Sequence, residues 1–171
     1  EPESHMHPQM QSVFIERFMM RIKEHTNVQA IITTHSTEIV KKCDIAQLRV
    51  LRVAEQGVRV VDLRNFASSY LDVADEEKRR LFSLLYSVNF ADVLFADAVL
   101  MYEGDTERMY IKALIEGDSR YSRLRSKYIS YVQVGGAHAH IYVPLLAEAL
   151  GVRTAIVTDL DYPPGTDPRD N

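Results

Sequence analysis

The chain contains 171 residues, of which 46% are hydrophobic and 26% are charged. This is ordinary globular composition, and it excludes a disordered or collagen-like chain. The formal net charge is −4, from 20 Lys+Arg against 24 Asp+Glu, so any contact with nucleic acid requires a local basic face. Cys43 is the only cysteine, which excludes an internal disulfide and a zinc cluster and fits a reducing compartment. No run approaches the ~18 consecutive apolar residues of a membrane span, and we expect a cytoplasmic protein without a membrane partner.

The first part of the chain has the pattern of a helix, a strand and a second short helix. Apolar residues recur at helical spacing from residue 8 to about residue 24, which predicts an amphipathic helix. Residues 28–34 (VQAIITT) are β-rich and too short for a helix, so they predict a strand that brings His35 to its C-terminal end. A short helix is expected to follow through Cys43, and Cys43 itself is expected to be buried.

Strands and helices then alternate in the second part of the chain. Residues 47–53 and 58–63 first predict a β-hairpin. A polar, Ser-rich stretch (64–75) and a charged helix that begins at Glu76 predict a helical linker. The alternation after the linker predicts βαβ units and a parallel sheet. Pro144 suits the first turn of the last helix, and Gly151 suits the position after its end. The elements expected after the linker are strands at 98–102, 129–134 and 153–159 and helices at 106–115 and 142–150.

Two acidic motifs follow strands of the predicted parallel sheet. Glu103 ends the first of these strands, Gly104 allows a tight turn, and Glu107 lies four residues later on the side that faces Glu103. Asp159 and Asp161 end the last strand, where the strand period of two points both to the same side. Because the carboxyl ends of parallel strands meet at one edge, we expect the four carboxylates to converge there.

Clustered carboxylates raise one another's pKa values, and a divalent cation relieves that repulsion. Oxygen ligands favour Mg²⁺ or Mn²⁺. Two such ions roughly 3.5–4 Å apart hold the attacking and leaving oxygens of a phosphodiester. Each motif alone is more often a turn or a helix cap, but their occurrence together favours metal binding and phosphoryl transfer.

The same residues resemble a known domain. Residues 99–107 (VLMYEGDTE), 134–136 (VGG) and 156–161 (IVTDLD) resemble the Toprim domain shared by topoisomerases, bacterial primases and OLD-family nucleases. Together with residues 93–97 (VLFAD), they are most similar to the OLD (overcoming lysogenisation defect) nucleases. The resemblance implies an α/β Toprim fold, a Rossmann-like parallel sheet flanked by helices, and DNA cleavage with two Mg²⁺ or Mn²⁺ ions. The metal ligands that it implies are Glu103, Glu107, Asp159 and Asp161, of which Glu103, Asp159 and Asp161 would be catalytic.

The start of the chain resembles a second domain. Residues 1–8 (EPESHMHP) resemble the end of the Walker B motif and the D-loop of ABC-type ATPases, and residues 31–36 (IITTHS) resemble their switch-histidine segment. By this resemblance Glu1 polarises the attacking water and His35 senses the γ-phosphate. A histidine at a strand end is, by itself, more often a structural hydrogen-bonding group. The sequence has no phosphate-binding P-loop, so we expect ATP to bind only with a preceding segment.

The two resemblances imply three regions. We expect the C-terminal portion of an ABC-type ATPase domain at 1–63, a helical linker at 64–90 and a Toprim nuclease domain at 91–171. The chain is expected to be a piece of a longer protein, incomplete at both ends, with a catalytic lysine and further metal ligands beyond Asn171. Family resemblance also implies a homodimer that acts on DNA in phage defence or repair.

Two further groups of residues have both a DNA-binding and a structural interpretation. A basic run either contacts DNA phosphates or forms a solvated helix face. Three glycines either let the backbone approach a phosphate or make turns. These residues are Arg120, Arg123, Arg125 and Lys127 in the run, and Gly104, Gly135 and Gly136.

The residues leave two alternatives to a nuclease open. One is another Toprim activity, either primase-like, which the single cysteine disfavours, or topoisomerase-like. The other is a non-catalytic DNA-binding segment that regulates a recombination or repair ATPase. Clustered acidic residues argue against this second alternative, because without metal they repel a polyanion.

Overall fold

A computed structural model describes residues 1–25, 27–54, 57–71, 90–134 and 136–158. In these residues the helices are α1 (Pro8–Lys23), α2 (Thr37–Val40), α3 (Leu63–Leu71), α4 (Phe90–Phe95) and α5 (Asp105–Gly117). The strands are β1 (Arg49–Ala54), β2 (Gly57–Asp62), β3 (Ala98–Tyr102), β4 (Ile129–Gln133) and β5 (Arg153–Val157). Short 3-10 segments lie at Ile45–Gln47, Ser119–Leu124 and Gly136–Tyr142, and Pro144–Ala149 forms a π-helical segment.

The five strands form two sheets. β1 and β2 pair as the predicted antiparallel hairpin. β3 lies at the centre of a parallel sheet whose order is β4-β3-β5. Tyr102 at the end of β3 pairs with Gln133 at the end of β4 and with Val157 at the end of β5. The three carboxyl ends are therefore level at one edge, and the predicted parallel sheet flanked by helices is confirmed.

One hydrophobic core joins the hairpin region to the parallel sheet. Val40, Val61 and Leu63 belong to the same buried cluster as Phe90 and Val99. Burial of such side chains stabilises the fold by about 1.5–3 kcal/mol each. The division of the chain at residues 63 and 90 stays a prediction, and the described segments on either side of it pack together.

The predicted strand at residues 28–34 is wrong. No strand forms there, and the side chain of Ile31 is 88% exposed. A β-rich segment becomes a strand only when a neighbouring strand accepts and donates its backbone hydrogen bonds. Among the described residues no strand pairs with this segment.

Helix α3 occupies the first part of the polar stretch at residues 64–75, for which the sequence pattern predicted no separate helix. The Asp62 carboxylate accepts a hydrogen bond from the Arg64 N–H (2.9 Å), as an N-cap does. Leu63, Phe66 and Ala67 then follow at helical spacing, with Leu63 and Ala67 buried and Phe66 packed against the core. The expected helix from Glu76 lies outside the described residues.

Several element ends differ from expectation. The short helix α2 ends at Val40 instead of Cys43, and Cys43 is only half-buried, with its Sγ 3.3 Å from the Ile39 carbonyl. The last strand ends at Val157. Pro144 begins the last helical segment as predicted, but that segment is π-helical.

Gly151 follows that segment with a φ of +64°, a left-handed conformation that glycine adopts without strain. This confirms the expected glycine after the helix end. Within the described residues, no helix combines the length and apolar character needed to cross a membrane.

Candidate active site

The turn after β3 carries the first predicted acidic motif. Glu103 follows Tyr102 directly and is half-buried. Its backbone carbonyl accepts a hydrogen bond from Gln133 Nε2 (3.1 Å), and the Val134 N–H donates to the Tyr102 carbonyl (2.8 Å). These two hydrogen bonds connect the carboxyl end of β3 to that of β4, so the backbone at Glu103 is fixed relative to β4.

Glu107 caps the N-terminus of α5. Its Oε2 accepts a hydrogen bond from the Gly104 N–H (2.9 Å), where a carboxylate also interacts favourably with the helix dipole. A Cβ at position 104 would lie 3.0 Å from that oxygen, so glycine leaves room for the cap. Gly104 and Glu107 thus have a structural role, and metal binding by the second oxygen of Glu107 stays a prediction.

The strand β5, which precedes the second acidic motif in the sequence, lies beside β3 at a topological switch point. The chain passes from β3 to β4 on one side and then crosses to β5 on the other. Ligands of open α/β sheets bind in the crevice at such a point. Glu103 and Thr158 each come one residue after the paired Tyr102 and Val157, and Asp159 and Asp161 lie outside the described residues.

The described part of the chain therefore contains only two of the four predicted metal ligands, Glu103 and Glu107. There, no three His, Cys, Asp or Glu side chains lie close enough together to hold a metal ion. The donors that this part does supply, Glu103 and Glu107, are both carboxylates, which suits Mg²⁺ or Mn²⁺. The four-carboxylate cluster stays a prediction.

The basic run is partly committed to the fold. Arg120 pairs with Asp118 (Nη2 to Oδ2, 2.6 Å) and lowers the pKa of that carboxyl. Arg125 donates to the carbonyls of Ile115 (2.8 Å) and Asp118 (3.2 Å), at the C-terminal end of α5, where cations are favourable. Arg123 and Lys127 are exposed, which leaves these two as the stronger candidates of the run for DNA phosphates. Gly136 begins a 3-10 segment, and Gly135 lies outside the described residues.

The N-terminal segment brings its two predicted nucleotide-binding residues together. His35 Nδ1 lies 3.1 Å from Glu1 Oε1. Both side chains are largely exposed, so the pair is open to a ligand. Their role toward a nucleotide stays a prediction.

Glu3 is a residue of this segment that the sequence interpretation did not single out. Only 4% of it is exposed, and its Oε1 accepts hydrogen bonds from the Thr34 hydroxyl and the His35 N–H (3.1 Å). Burial raises the pKa of Glu3, but the hydrogen bonds outweigh it and hold the pKa below its usual value. The only signal in the sequence was its position two residues after Glu1.

Two families match the chain. Residues 94–161 match the Overcoming lysogenization defect protein-like TOPRIM domain, and residues 1–40 match an AAA ATPase domain. The second half of the chain is therefore similar to an OLD-like Toprim domain. The ATPase match precedes it in the order that the sequence resemblance implied, so that resemblance is confirmed.

Curated relatives that match the chain are nucleases by name. The endonuclease GajA of Bacillus cereus strain HuB5-5 is 29% identical over 100% of this chain and 27% of the relative. The Old nuclease of Escherichia phage P2 is 24% identical over 95% of this chain and 27% of the relative. GajA of Bacillus cereus strain VD045 is 29% identical over 94% of this chain and 25% of the relative. The chain thus spans about a quarter of the length of the relatives that it matches.

Proposed function

We propose that the chain is the Toprim portion of an OLD-type DNA endonuclease that depends on Mg²⁺ or Mn²⁺. The observation that carries the proposal is the level carboxyl edge of β3 and β5. It supports Glu103 and the acidic pair Asp159 and Asp161 on the two sides of one switch-point crevice. The nuclease names of the relatives support the same reaction class.

The residues of the crevice divide into ligands and supporting groups. Glu103, Asp159 and Asp161 would hold two ions, and the bound ions would polarise the phosphate and lower the pKa of the attacking water. Glu107 fixes the turn through the Gly104 N–H, with its second oxygen as a further ligand. Arg123 and Lys127 would bind DNA phosphates and orient the strand.

The ATPase-type segment is proposed to control this cleavage. Glu1 and His35 already lie within hydrogen-bond distance of each other. Their pairing supports a joint role at the γ-phosphate of ATP, which would bind together with a preceding P-loop segment. The protein would act as a cytoplasmic homodimer on DNA, in phage defence or repair.

Cleavage of supercoiled plasmid by the full-length protein tests the nuclease. We expect nicking or linearisation in Mn²⁺ or Mg²⁺ and none in chelator. Glu103→Gln and Asp159→Asn each remove one ligand charge, and we expect each to lower the rate by about 100-fold or more. The matched control is Asp105→Asn, an exposed carboxylate of the same turn whose ion-pair partner is Arg108, and we expect its rate to be retained.

Two outcomes would count against the proposal. Cleavage that persists in chelator would exclude metal dependence. Folded protein that binds Mn²⁺ but never cleaves would favour a non-catalytic Toprim platform that regulates the ATPase.

A further inference from the structure

Two arginines face each other across the hairpin. Arg52 of β1 is directly opposite Arg59 of β2 in the strand register. Like charges at opposed positions destabilise an antiparallel pair. The hairpin therefore gains nothing from this pair by itself, and the compensation must come from outside the hairpin.

The charges of both arginines are compensated by backbone carbonyls in the region of the parallel sheet. Arg52 Nη1 donates to the Ala96 carbonyl (3.2 Å), and Arg59 Nη2 donates to the Ala149 carbonyl (3.1 Å). Ala96 lies between the end of α4 and the start of β3, and Ala149 ends the π-helical segment before β5. Carbonyls at helix ends carry partial negative charge and attract cations.

Burial of the Arg52 guanidinium costs desolvation free energy, which argues that the residue does more than stabilise the fold. Its Nε and Nη2 are buried and have no hydrogen-bond partner in the part of the chain that the structure describes. Burial lowers the pKa of Arg52, and the charge of Arg59 lowers it further, while Asp97 raises it. Unmet buried donors destabilise a fold, so the single hydrogen bond of Arg52 to Ala96 does not by itself explain why a guanidinium is buried at this position.

The two contacts lie next to the amino ends of two adjacent strands, β3 and β5. Ala98 at the start of β3 pairs with Arg153 at the start of β5. Gly151, with its φ of +64°, turns the chain into β5, and a Cβ there would lie 2.8 Å from Arg59 Nη2. The hairpin thus contacts the segments that lead into the two strands whose carboxyl ends border the switch-point crevice.

We propose that Arg52 and Arg59 are positioning residues for the Toprim metal site. The two arginines clamp the segments that lead into β3 and β5. This clamp fixes the placement of the two strands relative to each other, and hence the spacing of the proposed metal ligands at the opposite edge of the sheet. The inference rests on the proposed function, since it assigns the clamp to that metal site. Groups that hydrogen-bond directly to metal ligands typically change metal affinity by about 10–100-fold, and a clamp at the opposite end of the strands should act at the lower end of that range.

The test compares the clamp with a matched arginine of the same hairpin. Arg52→Met/Arg59→Met in the full-length protein removes both contacts and keeps most of the side-chain volume. Arg49→Met is the control, because Arg49 lies on the other face of β1 in an ion pair with Asp62 (3.0 Å). Two quantities are measured under conditions in which all variants are folded. These are the Mn²⁺ dissociation constant, by electron paramagnetic resonance, and amide hydrogen exchange, by mass spectrometry of the peptides that contain α1, β3 and β5.

We expect the double variant to weaken Mn²⁺ binding about tenfold and to speed exchange in β3 and β5 but not in α1. Arg49→Met should leave both quantities unchanged, and Arg59→Lys in the presence of Arg52 should recover most of the affinity. Unchanged exchange in β3 and β5 would overturn the clamp, whatever the metal result. Faster exchange with an unchanged Mn²⁺ constant would overturn its role at the metal site but leave the proposed function standing. No Mn²⁺ binding by the unaltered protein would overturn the proposed function and this inference with it.

Discussion

The buried carboxylate of Glu3 organises the residues around His35. It accepts hydrogen bonds from the Thr34 hydroxyl and from the His35 backbone, and Thr34 Oγ1 in turn accepts one from the Ser36 N–H (3.0 Å). This chain of hydrogen bonds holds the backbone that presents the His35 ring to Glu1. The charge-assisted hydrogen bonds to Oε1 offset part of the desolvation of this buried charge, while Oε2 is buried without a partner in the described part of the chain.

Glu3→Gln tests that account through the pH dependence of stability. The folded-state pKa of Glu3 lies below its usual value, so its ionisation stabilises the fold above about pH 4.5. That stabilisation is lost as the pH falls through the lower, folded-state pKa. We expect Glu3→Gln to be less stable than the parent chain at pH 7 and the difference to shrink toward pH 3.

Urea unfolding at pH 7, 5, 4 and 3 measures this difference. The control is Glu148→Gln, because Glu148 is exposed and its charge should contribute little to the unfolding free energy. If the curves of Glu3→Gln and the parent chain stay parallel down to pH 3, the ionised carboxylate is not what stabilises the segment.

At the scale of elements, local signals predicted the sheet strands well and failed where a partner decides the structure. β3 has the predicted bounds, 98–102, because its apolar run is bordered by Asp97 and by the Glu103-Gly104 turn. Residues 28–34 have equally strong β propensity, but no strand lies beside them in the part of the chain that the structure describes. No pattern within seven residues reveals whether a neighbour is present, since sheet pairing is a tertiary contact.

The candidate site was predictable in its position but not in the division of roles. A carboxylate three residues after a glycine at a helix start suits both a cap and a metal ligand, so the sequence leaves Glu107 ambiguous. The hydrogen bond from the Gly104 N–H shows that one oxygen of Glu107 is used for the cap, and metal binding by the other oxygen stays a prediction. Likewise, the commitment of Arg120 and Arg125 to the end of α5 depends on where that helix ends, which composition does not show.

Two glycines at helix ends give predictions of opposite sign. Gly151 has a φ of +64°, where any other residue is strained, so Gly151→Ala should lower the free energy of unfolding by about 1–2 kcal/mol. Gly117 ends α5 without a positive φ and with nothing within 4 Å of an added Cβ. Gly117→Ala should therefore raise the free energy of unfolding by about 0.5–1 kcal/mol. Urea unfolding measures both, and equal signs would contradict the assigned backbone conformations.

At the scale of the whole molecule, the hairpin region and the parallel sheet share one buried core. Val61 and Leu63 end the hairpin and begin α3, and they lie in one cluster with Val99 and Met101 of the central strand β3. Two units that share a buried cluster unfold together when the cluster supplies much of the stability of each. The sequence resemblances place a domain boundary at this point, because family motifs record chemistry and not packing.

Leu63→Ala tests whether the described segments unfold as one unit. Leu63 is fully buried in the shared cluster, so the loss of its side chain should lower the free energy of unfolding by about 2–5 kcal/mol. We expect amide exchange to become faster in β1 and β2 and equally in β3 and β5, as measured by hydrogen exchange under native conditions. Leu51→Ala is the control, since Leu51 is 66% exposed on the outer face of the hairpin, and its effect should stay within about 0.5 kcal/mol. If Leu63→Ala loosens the hairpin while β3 and β5 keep their protection, the two regions are separate folding units, and the domain boundary near residue 63 is physical as well as evolutionary.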